Sequence, residues 1–181
     1  LLLTGIAIQA LAGAPALFAR ENLVAWCIVP FDSAKRGPAE RAEMLARLGF
    51  KKFAYDWRAE HIPTFDEEME TLERYGIELT AFWFPGALND EAKAILDALK
   101  RHEVKTQLWI TMGGGEIQCT PEEQAARVRQ HADAIRPIAA AAAEIGCTVG
   151  LYNHGAWFGE PDNQIAIIKA LNLPNVGMVY N

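Results

Sequence analysis

The sequence predicts an α/β fold built on one parallel sheet, and three observations carry that expectation. Six short apolar runs alternate with five amphipathic helical patterns, the order that right-handed crossovers produce. The runs are almost continuously apolar, as strands covered on both faces are. Polar or aromatic residues close each run: Asp32, Asp56-Trp57, Trp83, Trp109 to Thr111, Asn153-His154 and Asn181. A ring of such strand ends is how a barrel assembles a site. A doubly wound open sheet also fits the alternation. The dinucleotide fingerprint Gly-x-Gly-x-x-Gly is missing after the first run, however, where Pro30-Phe31-Asp32-Ser33 stands. The expected fold is a (β/α)₈ TIM barrel over residues 23–181, truncated after its sixth strand, with no internal repeat or second domain.

The runs are Leu23 to Phe31, Lys52 to Trp57, Ile77 to Phe84, Thr106 to Met112, Cys147 to Tyr152 and Asn175 to Tyr180. A helix is expected over Pro38 to Leu48, with Gly49 as its C-terminal stop. Thr64 starts the next, with Glu67 completing a capping box, and Gly76 ends it. Asn89 caps a third, whose inward face is Ala92, Ile95, Leu96 and Leu99. Thr120-Pro121-Glu122-Glu123 begins a fourth that runs to Gly146, with Pro137 expected to kink or break it. Asp162 to Leu171 is the fifth.

The net charge of −6 argues against nucleic acid as the main partner, because neutralising phosphates needs a basic surface. Residues 1–19 are apolar and small, like the core of a secretion signal, with Ala12-Gly13-Ala14 and Ala14-Pro15-Ala16 as small-x-small cleavage sites. An extra N-terminal helix is the alternative. A signal would make the protein exported, periplasmic or secreted; without it the protein is expected in the cytoplasm. The segment is too short and too rich in Ala and Gly for a stable membrane span. Cys27, Cys119 and Cys147 are scattered, with no Cys-x-x-Cys, which disfavours a zinc knuckle or thioredoxin-like motif. Cys27 and Cys147 fall inside apolar runs, where buried thiols are usual, though one disulfide stays open.

The most informative stretch is Gly150 to Glu160, a junction between a buried strand and a crossover helix. Imidazoles titrate near neutrality, so His154 is a candidate proton shuttle, with a structural histidine as the alternative. Glu160 is a second acid/base candidate, although a carboxylate beside Pro161 also suits a helix N-terminus. Asn153 can bind a ligand or serve the turn. Asp56 can hydrogen-bond hydroxyls or pair with Arg58. Trp57, Trp83, Trp109 and Trp157 can form a stacking wall for sugar rings or simply pack the core. Gly113-Gly114-Gly115 before the Thr120 helix is a weak phosphate signal and equally a lid. His61, His102 and His131 are expected to be exposed.

Leu151-Tyr152-Asn153-His154-Gly155 and, about 25 residues on, Val176-Gly177-Met178-Val179-Tyr180-Asn181 resemble the fifth and sixth strands of the xylose-isomerase-like TIM barrels. That group includes sugar and sugar-phosphate isomerases and epimerases and the AP-endonuclease-type enzymes. The resemblance implies a divalent metal (Mn, Mg, Zn or Co) held by two Glu, an Asp and a His. It places metal-ligand carboxylates where Tyr152 and Asn181 stand here, so the two become candidate hydrogen-bonding residues for substrate. The expected activity is isomerisation or epimerisation of a sugar or sugar phosphate by proton transfer next to a carbonyl. The alternatives are a keto-sugar (3-keto-glycoside) lyase or hydrolase on the same barrel, and a non-catalytic sugar-binding barrel that has lost its metal. The expected partner is a small sugar or sugar derivative, with an oligomer possible.

Overall fold

A computed structural model describes residues 19–180. The leader expected over residues 1–19 therefore lies outside the described residues, apart from Ala19, and so does Asn181. Six parallel strands form one sheet in sequence order: β1 Val24–Ala25, β2 Lys52–Tyr55, β3 Glu78–Trp83, β4 Gln107–Ile110, β5 Thr148–Tyr152 and β6 Val176–Val179. The crossovers carry α1 Pro38–Leu48, α2 Phe65–Arg74, α3 Asp90–Arg101, α4 Pro121–Glu144, the short α5 Ala156–Gly159 and α6 Pro161–Leu171. This is the barrel pattern, with β1 and β6 as the two edges of the described sheet. Among the described residues, no helix is long and apolar enough to cross a membrane.

Most helix boundaries follow local chemistry. Gly49 takes φ +81°, a left-handed conformation that needs no Cβ, and ends α1. The Asn89 side chain accepts the Ala92 amide at 2.9 Å, and Thr120 and Glu123 form a reciprocal capping box. Two local expectations fail, and the break expected at Pro137 does not occur. Thr64 caps nothing with its side chain; its hydroxyl donates to the His61 carbonyl of a preceding 3₁₀ turn. Pro137 does not end α4, which runs through it. Pro137 and Asp133 are both exposed, so the carbonyl deprived of its donor can be hydrated. The first strand is two residues rather than nine: Cys27 adopts φ +53°, and Val29–Phe31 coils into a 3₁₀ turn. Asp32 then sits in a loop, where it accepts the Ala34 and Arg36 amides and pairs with the Arg36 guanidinium.

Strand alternation divides the core into two regions. Phe53, Tyr55 and Phe82 face the helices; Tyr55 meets Phe65 of α2 edge-on, and Phe82 meets it likewise. Arg41 of α1 lies over the Tyr55 ring and forms a fully buried two-point ion pair with Glu68 of α2. The other set points into the barrel. Gly150 faces Gln107 and Val179, where an added Cβ would lie 2.6 Å from Val179 Cγ2 and 2.9 Å from Gln107. One step toward the C-terminal ends, Tyr152 packs on Trp83 (ring centroids 4.6 Å), Trp109 (5.4 Å) and Trp26 (6.1 Å). These rings bridge β1 to β5 across the interior.

The close approach at Gly150 yields a stability test. Gly150→Ala is expected to destabilise the protein by about 1–3 kcal/mol through overpacking. Urea unfolding checks it, and an unchanged midpoint would mean that the interior is looser than described.

Candidate functional site

Above the aromatic layer, at the C-terminal ends of the strands, lies a cavity of about 460 Å³. Asp56 and Trp57 reach it because they directly follow β2, Trp83 because it closes β3, and His154 because it follows β5 by two residues. These four are candidates from the sequence, and the structure brings them together. Six further lining residues escaped the sequence reading as site groups: Trp26 and Cys27 after β1, Arg58 after β2, Phe84 and Pro85 after β3, and Glu91 in the first turn of α3. A nine-residue first strand hid Trp26 and Cys27, since only the left-handed turn at Cys27 directs the chain over the barrel mouth. The pattern Ala25-Trp26-Cys27, two large or polarisable side chains after a small buried one, was the available signal.

Asp56 is 3% exposed, and neither carboxyl oxygen has a hydrogen bond. Burial raises its pKa above the ordinary carboxylate value. Arg58 is not its ion-pair partner: Arg58 Nη1 donates to the carbonyls of Asp56 and Trp57 at 2.7 and 2.6 Å. Trp57 is held by a 2.7 Å hydrogen bond from its indole to the Trp83 carbonyl and packs edge-on against Phe65. Trp83 carries a buried indole N–H without a partner. The His154 imidazole is exposed at the cavity, its ring 5.9 Å from that of Tyr152, while its carbonyl accepts the Thr111 hydroxyl at 2.9 Å.

The other sequence candidates stand elsewhere. Tyr152 and Trp109 belong to the layer beneath the cavity; Trp109 also donates to Gln107 at 2.8 Å. Asn153 is half-buried, and its amide donates to the Val179 carbonyl at 3.1 Å. Glu160 is the N-cap residue of α6 and does not line the cavity. Trp157 is no part of a stacking wall. It is fully buried in α5, stacked on His131 at 5.3 Å, with its indole donating to Gln124 at 2.6 Å. The Gly113–Gly115 loop clasps the same helix: Gly115 accepts the Trp157 amide, and Gly114 lies against its ring. His131, expected to be exposed, is 7% exposed in this packing. The three cysteines are all free.

The metal set that the resemblance implies does not fit the residues here. Position 152 carries a phenol, 2% exposed and packed among indoles, where a carboxylate is needed. Among the described residues, no group of three His, Cys, Asp or Glu side chains is placed to hold an ion.

This architecture is similar to that of solved xylose-isomerase-like TIM barrels. A xylose isomerase domain protein from Alicyclobacillus acidocaldarius superposes with a TM-score of 0.57 at 16% identity, over 78% of this chain and 57% of that one. D-psicose 3-epimerase from Clostridium cellulolyticum H10, solved with D-tagatose, gives 0.57 at 16% identity, over 86% and 61%. A xylose isomerase domain protein from Planctomyces limnophilus gives 0.52 at 17% identity, over 76% and 56%. At such identities the likeness establishes the fold, and the chain spans 56–61% of the length of these three structures. No family model matches the chain, and no curated protein matches it.

His131 yields a pH test. Burial, with Arg127 adding to it, holds its imidazole below the ordinary range. The unfolded chain gains a proton near pH ~6.5 that the folded chain refuses, so this site costs nothing well above that pH and destabilises the fold below it. Thermal unfolding of the wild type should fall off more steeply below about pH 6.5 than that of His131→Phe. Parallel pH profiles would contradict the buried neutral imidazole.

Proposed function

We propose that the protein is a sugar isomerase- or epimerase-type enzyme that moves a proton at a carbon next to a carbonyl. The observation that supports this most is convergence. A carboxyl group, an imidazole and three indoles, from the ends of β1, β2, β3 and β5, share one cavity of about 460 Å³. That volume falls in the range of small-molecule sites. Indole faces suit the C–H faces of a sugar, and the polar groups suit its hydroxyls. Forming an enediol from a ketose needs one group to take the carbon proton and others to stabilise the oxygen. His154 is the candidate for the first role. Glu160 stands outside the cavity and is the weaker second choice.

D-psicose 3-epimerases solved with D-fructose and with D-tagatose share the fold, which supports ketoses as the first class to test. A keto-sugar lyase or hydrolase would use the same proton abstraction and then eliminate. A non-catalytic sugar-binding barrel is supported by one observation: Tyr152 packs among indoles where the resemblance places a metal-binding carboxylate. The leader-like N-terminus supports export.

The test is deuterium incorporation from D₂O next to the carbonyl of D-fructose, D-tagatose and D-psicose, read by NMR. His154→Ala is expected to slow exchange by about 10²-fold or more while leaving the unfolding midpoint in place. Equal loss of exchange and stability would make His154 structural. Saturable ketose binding without exchange would favour the binding barrel.

A further inference from the structure

A second cavity, of about 500 Å³, meets the first at Arg58, which lines both. Its wall is unusual for a chain of net charge −6: Lys35, Arg36, Arg41, Arg58 and His61 line it, against Asp32 and Glu60. Two of these cations are already neutralised. Arg36 Nη1 pairs with Asp32 at 2.6 Å, and buried Arg41 pairs with Glu68 at 2.8 Å. Among the described residues, Lys35 and Arg58 form no ion pair with a carboxylate. Set against Glu60, the other acid of the wall, they leave a surplus of positive charge.

That surplus is held in place. Arg58 Nη1 donates to the carbonyls of Asp56 and Trp57 at 2.7 and 2.6 Å. The guanidinium is thereby clamped, with its Nε–H and Nη2–H donors unused. Lys35 stands on a loop fixed from two sides. The Asp32 carboxylate accepts the Ala34 and Arg36 amides at 3.0 Å each, and Arg41 donates to the Arg36 carbonyl at 3.0 Å. His61 Nδ1 accepts the Arg58 amide at 2.9 Å. An amide can only donate, so a neutral His61 ring carries its proton on Nε2 and is a donor there. Charged and N–H donors without acceptors, gathered round one cavity, fit an oxyanion.

We propose that the second cavity binds an oxyanion carried by the substrate, a phosphate ester or a carboxylate, while the sugar ring lies in the first. Arg58, at the junction, meets the anion with its unused edge; Lys35 and His61 Nε2 complete the donor set. This rests on the first cavity being a sugar site, and it extends the substrate class from neutral ketoses to anionic derivatives. No bond forms or breaks in the second cavity. The anion anchors the substrate, and that remote binding holds the reacting carbons near His154.

The amide resonances of Lys35, Arg36, Arg58 and His61, followed by NMR, test the site. Inorganic phosphate should shift them along one saturating curve; no saturable shift overturns the site. Raising NaCl from about 50 to about 500 mM should weaken that binding at least about threefold, and salt-independent binding overturns it. D-fructose, D-fructose 6-phosphate and D-fructuronate then separate the sources. One anionic ketose should bind at least about tenfold tighter than D-fructose, the effect of one charge-assisted hydrogen bond. Whichever does so tells phosphate ester from carboxylate; equal affinities for all three overturn the substrate assignment. Lys35→Gln and Arg58→Gln should each cut that gain at least about threefold, and an undiminished gain in both overturns the donor set. Should Arg58→Gln fail to fold, Lys35→Gln and the wild-type salt series decide. Phosphate binding without ketose binding supports the oxyanion cavity and overturns the sugar reading alone. Ketose binding without phosphate shifts overturns the oxyanion cavity and leaves the sugar reading standing.

Discussion

The packing of Tyr152 against Trp83, Trp109 and Trp26 is the contact on which the rest of the structure depends. It spans the barrel interior from β1 across to β5 at the level where the strands end. Aromatic pairs of this kind add roughly 0.5–1.5 kcal/mol each beyond the area they bury. Here they also have a geometric consequence. The layer forms a floor, and whatever stands above it, Asp56 and His154 included, faces a cavity instead of the core. Gly150 makes room one layer below, where Gln107 and Val179 leave no space for a methyl group.

That floor occupies the space in which the resemblance would put a carboxylate ligand. A phenol at position 152 converts a charged position into a packing position. The polar side chains lining the cavity then come from after β2, from the start of α3 and from after β5: Asp56, Arg58, Glu91 and His154. Asp56 is buried without hydrogen bonds, and the Cys27 backbone, at the same cavity, is strained. Both features cost stability, and sites are where such costs persist. The helix side of the sheet shows the contrary case: Arg41 and Glu68 are just as buried but satisfy one another at two points.

Periodicity reports burial well and direction poorly, which explains what was legible in the sequence. Strand order, barrel class and most helix starts could be read, because caps such as Asn89 and Thr120 and stops such as Gly49 act locally. Asp56, Trp57, Trp83 and His154 could be placed around one cavity because strand ends converge in a parallel barrel. Trp157 was misassigned to it because one residue type serves both a wall and a core. Only the contacts with His131, Gln124 and the glycine loop show that it fastens α5 to α4. His131 was misread with it, since an imidazole buried against an indole looks in sequence like any polar helix position. Cys27 was hidden for another reason: a left-handed cysteine has no sequence signature, and an apolar run ending in Cys-Ile-Val reads as unbroken strand.

The five tryptophans offer the most direct test of where a ligand binds. Their indole N–H resonances, assigned one at a time by Trp→Phe substitution, can be followed by NMR as D-fructose is added. Trp26, Trp57 and Trp83 should shift together along one saturating curve, while Trp157 stays in place. Saturable shifts centred on Trp157, or no shift in any of the five, would contradict a sugar site at the mouth of this barrel.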